Sequence, residues 1–274
     1  MDCLFCASPG PFSTVEHIIP ESLGNDDLTL TGHVCDPCQN YFGKEVEQFV
    51  LSKSPLAFWR VLLGIETKKG KMPSVNLSQP RREKGVLQSV HPIHDNAVGF
   101  TAHDDGSTSV EIDDSQMIND ILAGRRTQFR FVFTPKSLHM MGRFLCKVGL
   151  ELVCMESPSK ARGREFDLAR LFARYGKFES QLWPIFHYSM GSPQDFRRLR
   201  VDADGLCEDV ECYAYRLLEV GGKYSVFEFS MGTDHWVVSL NDPYPSPTIN
   251  EGFPGSPLRL IWYSEEELGT PNRC

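Results

Sequence analysis

Cys3-Leu4-Phe5-Cys6, Glu16-His17-Ile18-Ile19-Pro20 and Cys35-Asp36-Pro37-Cys38-Gln39-Asn40 decide the reading of this chain. Two cysteines at two-residue spacing present both thiolates from one small turn, and two such knuckles close a tetrahedral zinc site. Cys3/Cys6 and Cys35/Cys38 must therefore meet around one structural Zn²⁺. A segment this short buries too little apolar surface to fold alone. Structural zinc contributes roughly 10–16 kcal/mol, available only in the folded form.

Working outward, residues 12–19 alternate loosely and stop at Pro20, which predicts a short strand. Residues 28–34 predict its antiparallel partner, with the turn at residues 24–27. After Cys38 the apolar spacing becomes helical: Tyr41, Phe42, Val46, Phe49 and Val50 fall on one side, predicting a helix from Cys38 to about Leu51. The product is a zinc-pinned ββα unit that sets Gln39 and Asn40, at the helix start, opposite Glu16 and His17 on the first strand.

Roughly the first 50 residues resemble the HNH endonucleases of the zinc-stapled, treble-clef-like subgroup. The resemblance lies in Cys3-x-x-Cys6, in Glu16-His17-Ile18-Ile19-Pro20-Glu21-Ser22-Leu23-Gly24 and in Cys35-x-x-Cys38-Gln39-Asn40-Tyr41-Phe42-Gly43. It implies that His17 is a general base and Glu16 a ligand of a catalytic Mg²⁺ or Mn²⁺. At the position after the last cysteine, where the family carries His or Asn, it implies Gln39 as the second protein ligand, with Asn40 the alternative. Asn25 is the nearest counterpart of the family's loop-bracing Asn. The implied substrate is DNA, with RNA not excluded, and the implied setting is bacterial defence or a mobile element.

The chemistry of these side chains agrees. Hydrolysing a phosphodiester takes a base that accepts a proton from water at neutral pH, a task suited to imidazole, and a hard cation that offsets charge on the phosphate. Carboxylate and amide oxygens are suitable donors for such a cation. Adjacent strand residues project to opposite faces, so Glu16 and His17 serve one ion only if the strand ends or bulges near Pro20.

At 274 residues and 41% apolar content, the chain has room for this module and one larger domain. The expected fold class is α+β: a module over 1–54, a helix and basic linker over 55–85, and an α+β domain with an antiparallel sheet over 86–274. Within it, helices are expected at 55–65, 135–154 and 166–175, the second of them amphipathic and the third ended by Gly176. A hairpin over 85–114 turns at 104–106, and a strand is expected at 129–133. Residues 213–218, 224–230 and 236–240 predict a meander, joined by 259–263. No apolar run approaches 18 residues and Met1-Asp2 leads straight into the first knuckle, which together predict a cytoplasmic protein with reduced thiols and no membrane span. Cys146 and Cys154 read as core. Cys207 with Cys212, and His91, His94 and His103, are weaker candidates for a second metal.

Charge is uneven: −7 over residues 1–50, +6 over 51–85, −7 over 86–124, +9 over 125–200 and −9 over 201–274. An acidic module cannot hold a polyanion by itself. The basic blocks are therefore the expected nucleic-acid contacts, with Arg81, Arg82, Lys84, Arg125 and Arg126 foremost, and the acidic C-terminal half is open to a protein partner. Oligomeric state is left open, a homodimer included. Two other functions fit the same residues: a zinc-stabilised nucleic-acid-binding protein with an inactive nuclease site, and a zinc-nucleated protein-interaction module.

Overall fold

The computed structural model describes residues 2–67, 69–76, 98–104, 108–112, 115–125, 135–177, 183–189, 213–242 and 259–261. β1 (Val15–His17) pairs antiparallel with β2 (Thr29–Thr31), Glu16 opposite Leu30. α1 (Asp36–Tyr41), a π-helical segment (Phe42–Glu47) and α2 (Gln48–Lys53) then follow without a break. Pro37 sits in the first helical turn, where its missing N–H would have had no partner. The apolar stripe does what its spacing demands: Phe42, Val46 and Val50 are fully buried, and Phe5 from the first knuckle meets Phe42 edge-on at 4.6 Å.

α3 (Pro55–Leu62) begins at Ser54, whose hydroxyl accepts the Leu56 N–H at 3.1 Å, a cap worth about 1 kcal/mol. Ala57 and Val61 on α3 pack against Val75 and Ala102 of a three-stranded antiparallel sheet. That sheet comprises β3 (Ser74–Asn76), β4 (Val98–Ala102) and β5 (Thr108–Ile112), in that order. The predicted hairpin is β4–β5, while β3 forms within the stretch expected to be a linker. α4 (Ser115–Leu122) adds Met117 to this small core.

α5 (Pro135–Glu156) is the central element, and α6 (Asp167–Tyr175) packs beside it, ending at Gly176 in the left-handed region, φ +65°. The second sheet is antiparallel, built from β6 (Ile185–Ser189), β7 (Ala214–Val220), β8 (Tyr224–Met231), β9 (Asp234–Ser239) and β10 (Arg259–Ile261) in the order β10-β6-β9-β8-β7. The meander is β7–β9. Gly221 and Gly222, at φ +60° and +64°, make the tight reversal from β7 to β8 that side chains would resist. β10 does not join the meander directly, as expected of 259–263: β6 lies between it and β9.

The expectation of an amphipathic α5 is corrected. Residues 141–154 are buried throughout, because the N-terminal module covers one side of the helix and the sheet the other. Phe144 meets Phe229 of β8 at 6.0 Å, and a Cβ on Gly149 would lie 2.9 Å from Phe227 and Leu240. One apolar core therefore runs from Cys3 through α5 to Leu240, Cys146 and Cys154 included. The predicted strand at 129–133, His91, His94, Cys207 and Cys212 lie outside the described residues. His103 hydrogen-bonds Ser109 across the β4–β5 hairpin at 2.9 Å.

Candidate functional site

The four knuckle sulfurs lie within 4.8 Å of one another, and Cys3, Cys35 and Cys38 are buried. Tight turns shape both knuckles: Ala7 N–H reaches Cys3 O at 3.1 Å, and Cys38 and Gln39 N–H reach Cys35 O at 2.9 and 3.0 Å. The sulfurs hold their protons unequally. A hydrogen bond from Cys38 lowers the Cys3 pKa to about 4, burial raises Cys35 to about 11, and the bond to Cys3 together with burial raises Cys38 further. Four crowded sulfurs can all give up their protons only with a cation among them, and the donor set fits a structural Zn²⁺. Arg174 of α6 donates from Nε to Cys38 Sγ at 3.3 Å while its guanidinium stacks on Tyr41 at 3.8 Å. Arg162 anchors the first knuckle by donating to Asp2 O at 2.8 Å.

The loop between β1 and β2 is braced by Asn25, which is 1% exposed. Its Nδ2 donates to Ile19 O at 2.6 Å and Leu28 O at 3.1 Å; its Oδ1 accepts from Leu28 N–H at 2.8 Å and from the Tyr213 hydroxyl at 3.2 Å. The residue named from the sequence as the nearest brace thus ties the loop to itself and to the segment entering β7.

Glu16 and His17 part company on β1. His17 Nε2 lies 2.9 Å from Glu21 Oε1, one turn on, and its Nδ1 is buried without a hydrogen-bond partner among the described residues. The ring lines an open cleft of about 340 Å³ with Glu21, Gly24, Asp26, Ile65, Glu66 and Thr67. A neighbouring hollow shares Gly24 and Asp26 and extends to Tyr213 and Tyr215. Glu16 is 7% exposed and reaches the Lys147 ammonium of α5 at 2.7 Å. The expected meeting of Glu16 and His17 at one ion is therefore not the arrangement found, and the cause is strand alternation: β1 stays regular through His17. Gln39 donates from Nε2 to Val34 O at 3.4 Å, and Asn40 is exposed.

Lys147 is wholly buried and gathers five oxygens. Besides Glu16, its Nζ lies 2.9 Å from Glu47 and 3.1 Å from Glu151, and it donates to the carbonyls of His17 at 3.2 Å and Ile18 at 3.1 Å. Burial alone would pull the lysine pKa down, but Glu151, Glu47 and Glu16 outweigh it and hold the ammonium well above its usual range. Burial, only partly offset by Lys147, pushes the Glu151 carboxyl well above its usual range. Sequence reading missed this group. Its signal was the spacing Arg143, Lys147, Glu151, one stripe on an otherwise apolar helix; Arg143 donates to the Tyr41 hydroxyl at 2.7 Å.

Among the residues expected to contact nucleic acid, Arg125 is described: it is exposed and pairs with Asp120 at 2.7 Å. Arg81, Arg82, Lys84 and Arg126 lie outside the described residues. Many cations of the 125–200 block face inward. Arg143, Lys147, Arg162, Arg170 and Arg174 all donate to carbonyls, carboxylates, a tyrosine hydroxyl or a cysteine sulfur of the protein itself. Lys69 and Lys71, which follow the cleft residue Thr67, are exposed.

A ββα unit stapled by two Cys-x-x-Cys knuckles, with a histidine at the end of its first strand facing a cleft, makes up the N-terminal segment. Residues 3–54 match the HNH endonuclease family model. No curated protein and no solved structure matches the chain. The HNH module thus accounts for the zinc cluster, the β-hairpin and the following helix. Beyond it lie the two sheets, α3 to α6 and Lys147. No helix among the described residues is long and apolar enough to cross a membrane.

Proposed function

We propose that this protein is a metal-dependent endonuclease that hydrolyses DNA phosphodiester bonds at the His17 cleft of its HNH module. The observation that carries this reading is the state of His17. Its Nδ1 is buried, so the ring nitrogen that can meet water is Nε2, 2.9 Å from Glu21 Oε1 in the cleft that both residues line, and a water there can give its proton to Nε2. Glu21 also fixes the ring plane and stabilises the imidazolium formed in that step.

The cleft carries Glu21, Asp26 and Glu66. These hard oxygen donors suit Mg²⁺ or Mn²⁺, which when bound supplies positive charge for the phosphate. Glu16, held by Lys147, then supports the strand that presents His17. Substrate has to be gripped outside this acidic cleft, and exposed Lys69 and Lys71 beside it, with the basic stretch through Arg81, Arg82 and Lys84, supply the phosphate contacts. By resemblance, the setting is bacterial defence or a mobile element.

The capture of Glu16 by Lys147 also favours a second reading, a nucleic-acid-binding protein with an inactive site. Incubation with supercoiled plasmid separates the two. The nuclease reading expects nicked or linear product with Mg²⁺ or Mn²⁺ and none with chelator; binding that weakens with salt, without product under either metal, would overturn it.

A further inference from the structure

β1 is three residues long and, among the described residues, has a paired neighbour on one edge alone, β2. So short a ladder specifies its register weakly, and a slip of one residue would exchange the faces of Glu16 and His17. What fixes the strand lies on its other side. Lys147 Nζ, 0% exposed, holds the Glu16 carboxylate and the carbonyl oxygens of His17 and Ile18 at 2.7–3.2 Å, and ties them through Glu47 to the helix that follows the second knuckle. The ammonium thus touches the backbone of the residue whose imidazole faces the cleft, the residues on either side of it, and the helical wall of the module. It is supplied by α5, about 130 residues away in sequence and outside the matched family segment.

We infer that Lys147 is the positioning residue of the nuclease site, the clamp that keeps β1 in register and His17 aimed into the cleft, and that α5 is therefore a working part of the nuclease. The inference rests on the nuclease reading above. A clamp of this kind acts on the bound transition state through geometry: a displacement near 1 Å costs on the order of 10²-fold in rate. Its side chain is wholly buried and out of reach of DNA, so affinity should not depend on it.

Lys147→Met alone would leave buried carboxylates without their cation, so the variant to compare is Lys147→Met with Glu151→Leu, which removes the ammonium and its i+4 carboxylate together. Wild type and the double variant are purified as folded, zinc-loaded protein, and kcat and KM for plasmid cleavage are measured alongside DNA affinity. The expected result is a kcat lowered by roughly 10–10²-fold with KM, DNA affinity and zinc content unchanged. A purely structural lysine would give less folded protein with wild-type kcat per folded molecule, and that result would overturn the inference while leaving the nuclease reading intact. A wild type that does not cut overturns both. If the double variant does not fold, Lys147→Arg takes its place: it keeps the charge, but its longer planar fork cannot reproduce the tripod and should lower kcat with KM unchanged, whereas wild-type kcat would overturn the clamp.

Discussion

Asn25 shows how much one side chain can carry in a module this small. It spends donor and acceptor on the two ends of the β1–β2 loop and takes a hydroxyl from Tyr213, so truncation strands Ile19 O and Leu28 N–H in the interior. Asn25→Ala should cost about 1–3 kcal/mol, read as a lower urea midpoint with unchanged slope. The identity of this brace was legible because asparagine stood in the expected turn. The divergence of Glu16 and His17 was legible only as a condition: alternation forbids a shared site unless the strand breaks, and whether it breaks depends on tertiary contacts a sequence does not display. Glu21 stood in plain view at i+4 from His17, yet its pairing needed the short 3-10 turn Glu21–Leu23 to bring it back.

Elements with local signals were readable: the knuckles, the hairpin, the helix beginning at Asp36 and the β7–β9 meander, whose short reversals keep neighbours adjacent. Those set by distant partners were not, including β6 between β9 and β10, and the burial of α5 on all sides over residues 141–154. Its stripe of Arg143, Lys147 and Glu151 has the pattern of a solvated face, and only the covering module turns it inward. The crossing of α5 over the sheet gives a direct test. Gly149→Ala would raise helix propensity by up to about 1 kcal/mol in isolation, but its methyl would press on Phe227 and Leu240, so a net destabilisation of about 1–3 kcal/mol is expected from thermal or urea unfolding. On the other face of the sheet, burial would raise the Glu228 pKa, but hydrogen bonds from His235, Tyr188 and Arg216 reverse this and hold it below the usual carboxylate value. A depressed carboxylate contributes stability above its unfolded pKa and loses it as pH falls through the folded one. Glu228→Gln should therefore be less stable than wild type at neutral pH, with the gap in urea midpoint narrowing as the pH drops below the carboxylate range.

At the scale of the whole molecule, α5 and a continuous apolar core join the HNH module to the rest of the chain, while the four-cysteine cluster, whose donors fit zinc, closes the module on itself. Cys35→Ala opens the zinc site and should release the metal, loosening β1, the knuckles and α1 together. Hydrogen exchange would show lost protection across residues 3–54, where intact protection would contradict a metal-dependent module. Charge told less than its distribution promised. The positive block at 125–200 reads as a polyanion surface, yet many of its cations turn out to bind the protein itself, an outcome that depends on facing directions no composition records. The central claim, that His17 is the base of a working nuclease, is tested most directly by single-turnover plasmid cleavage with Mg²⁺ or Mn²⁺, comparing wild type with His17→Ala at matched zinc content. The account predicts cleavage slowed by roughly 10²–10⁴-fold in the variant with DNA affinity retained; a variant that cuts at the wild-type rate would contradict it.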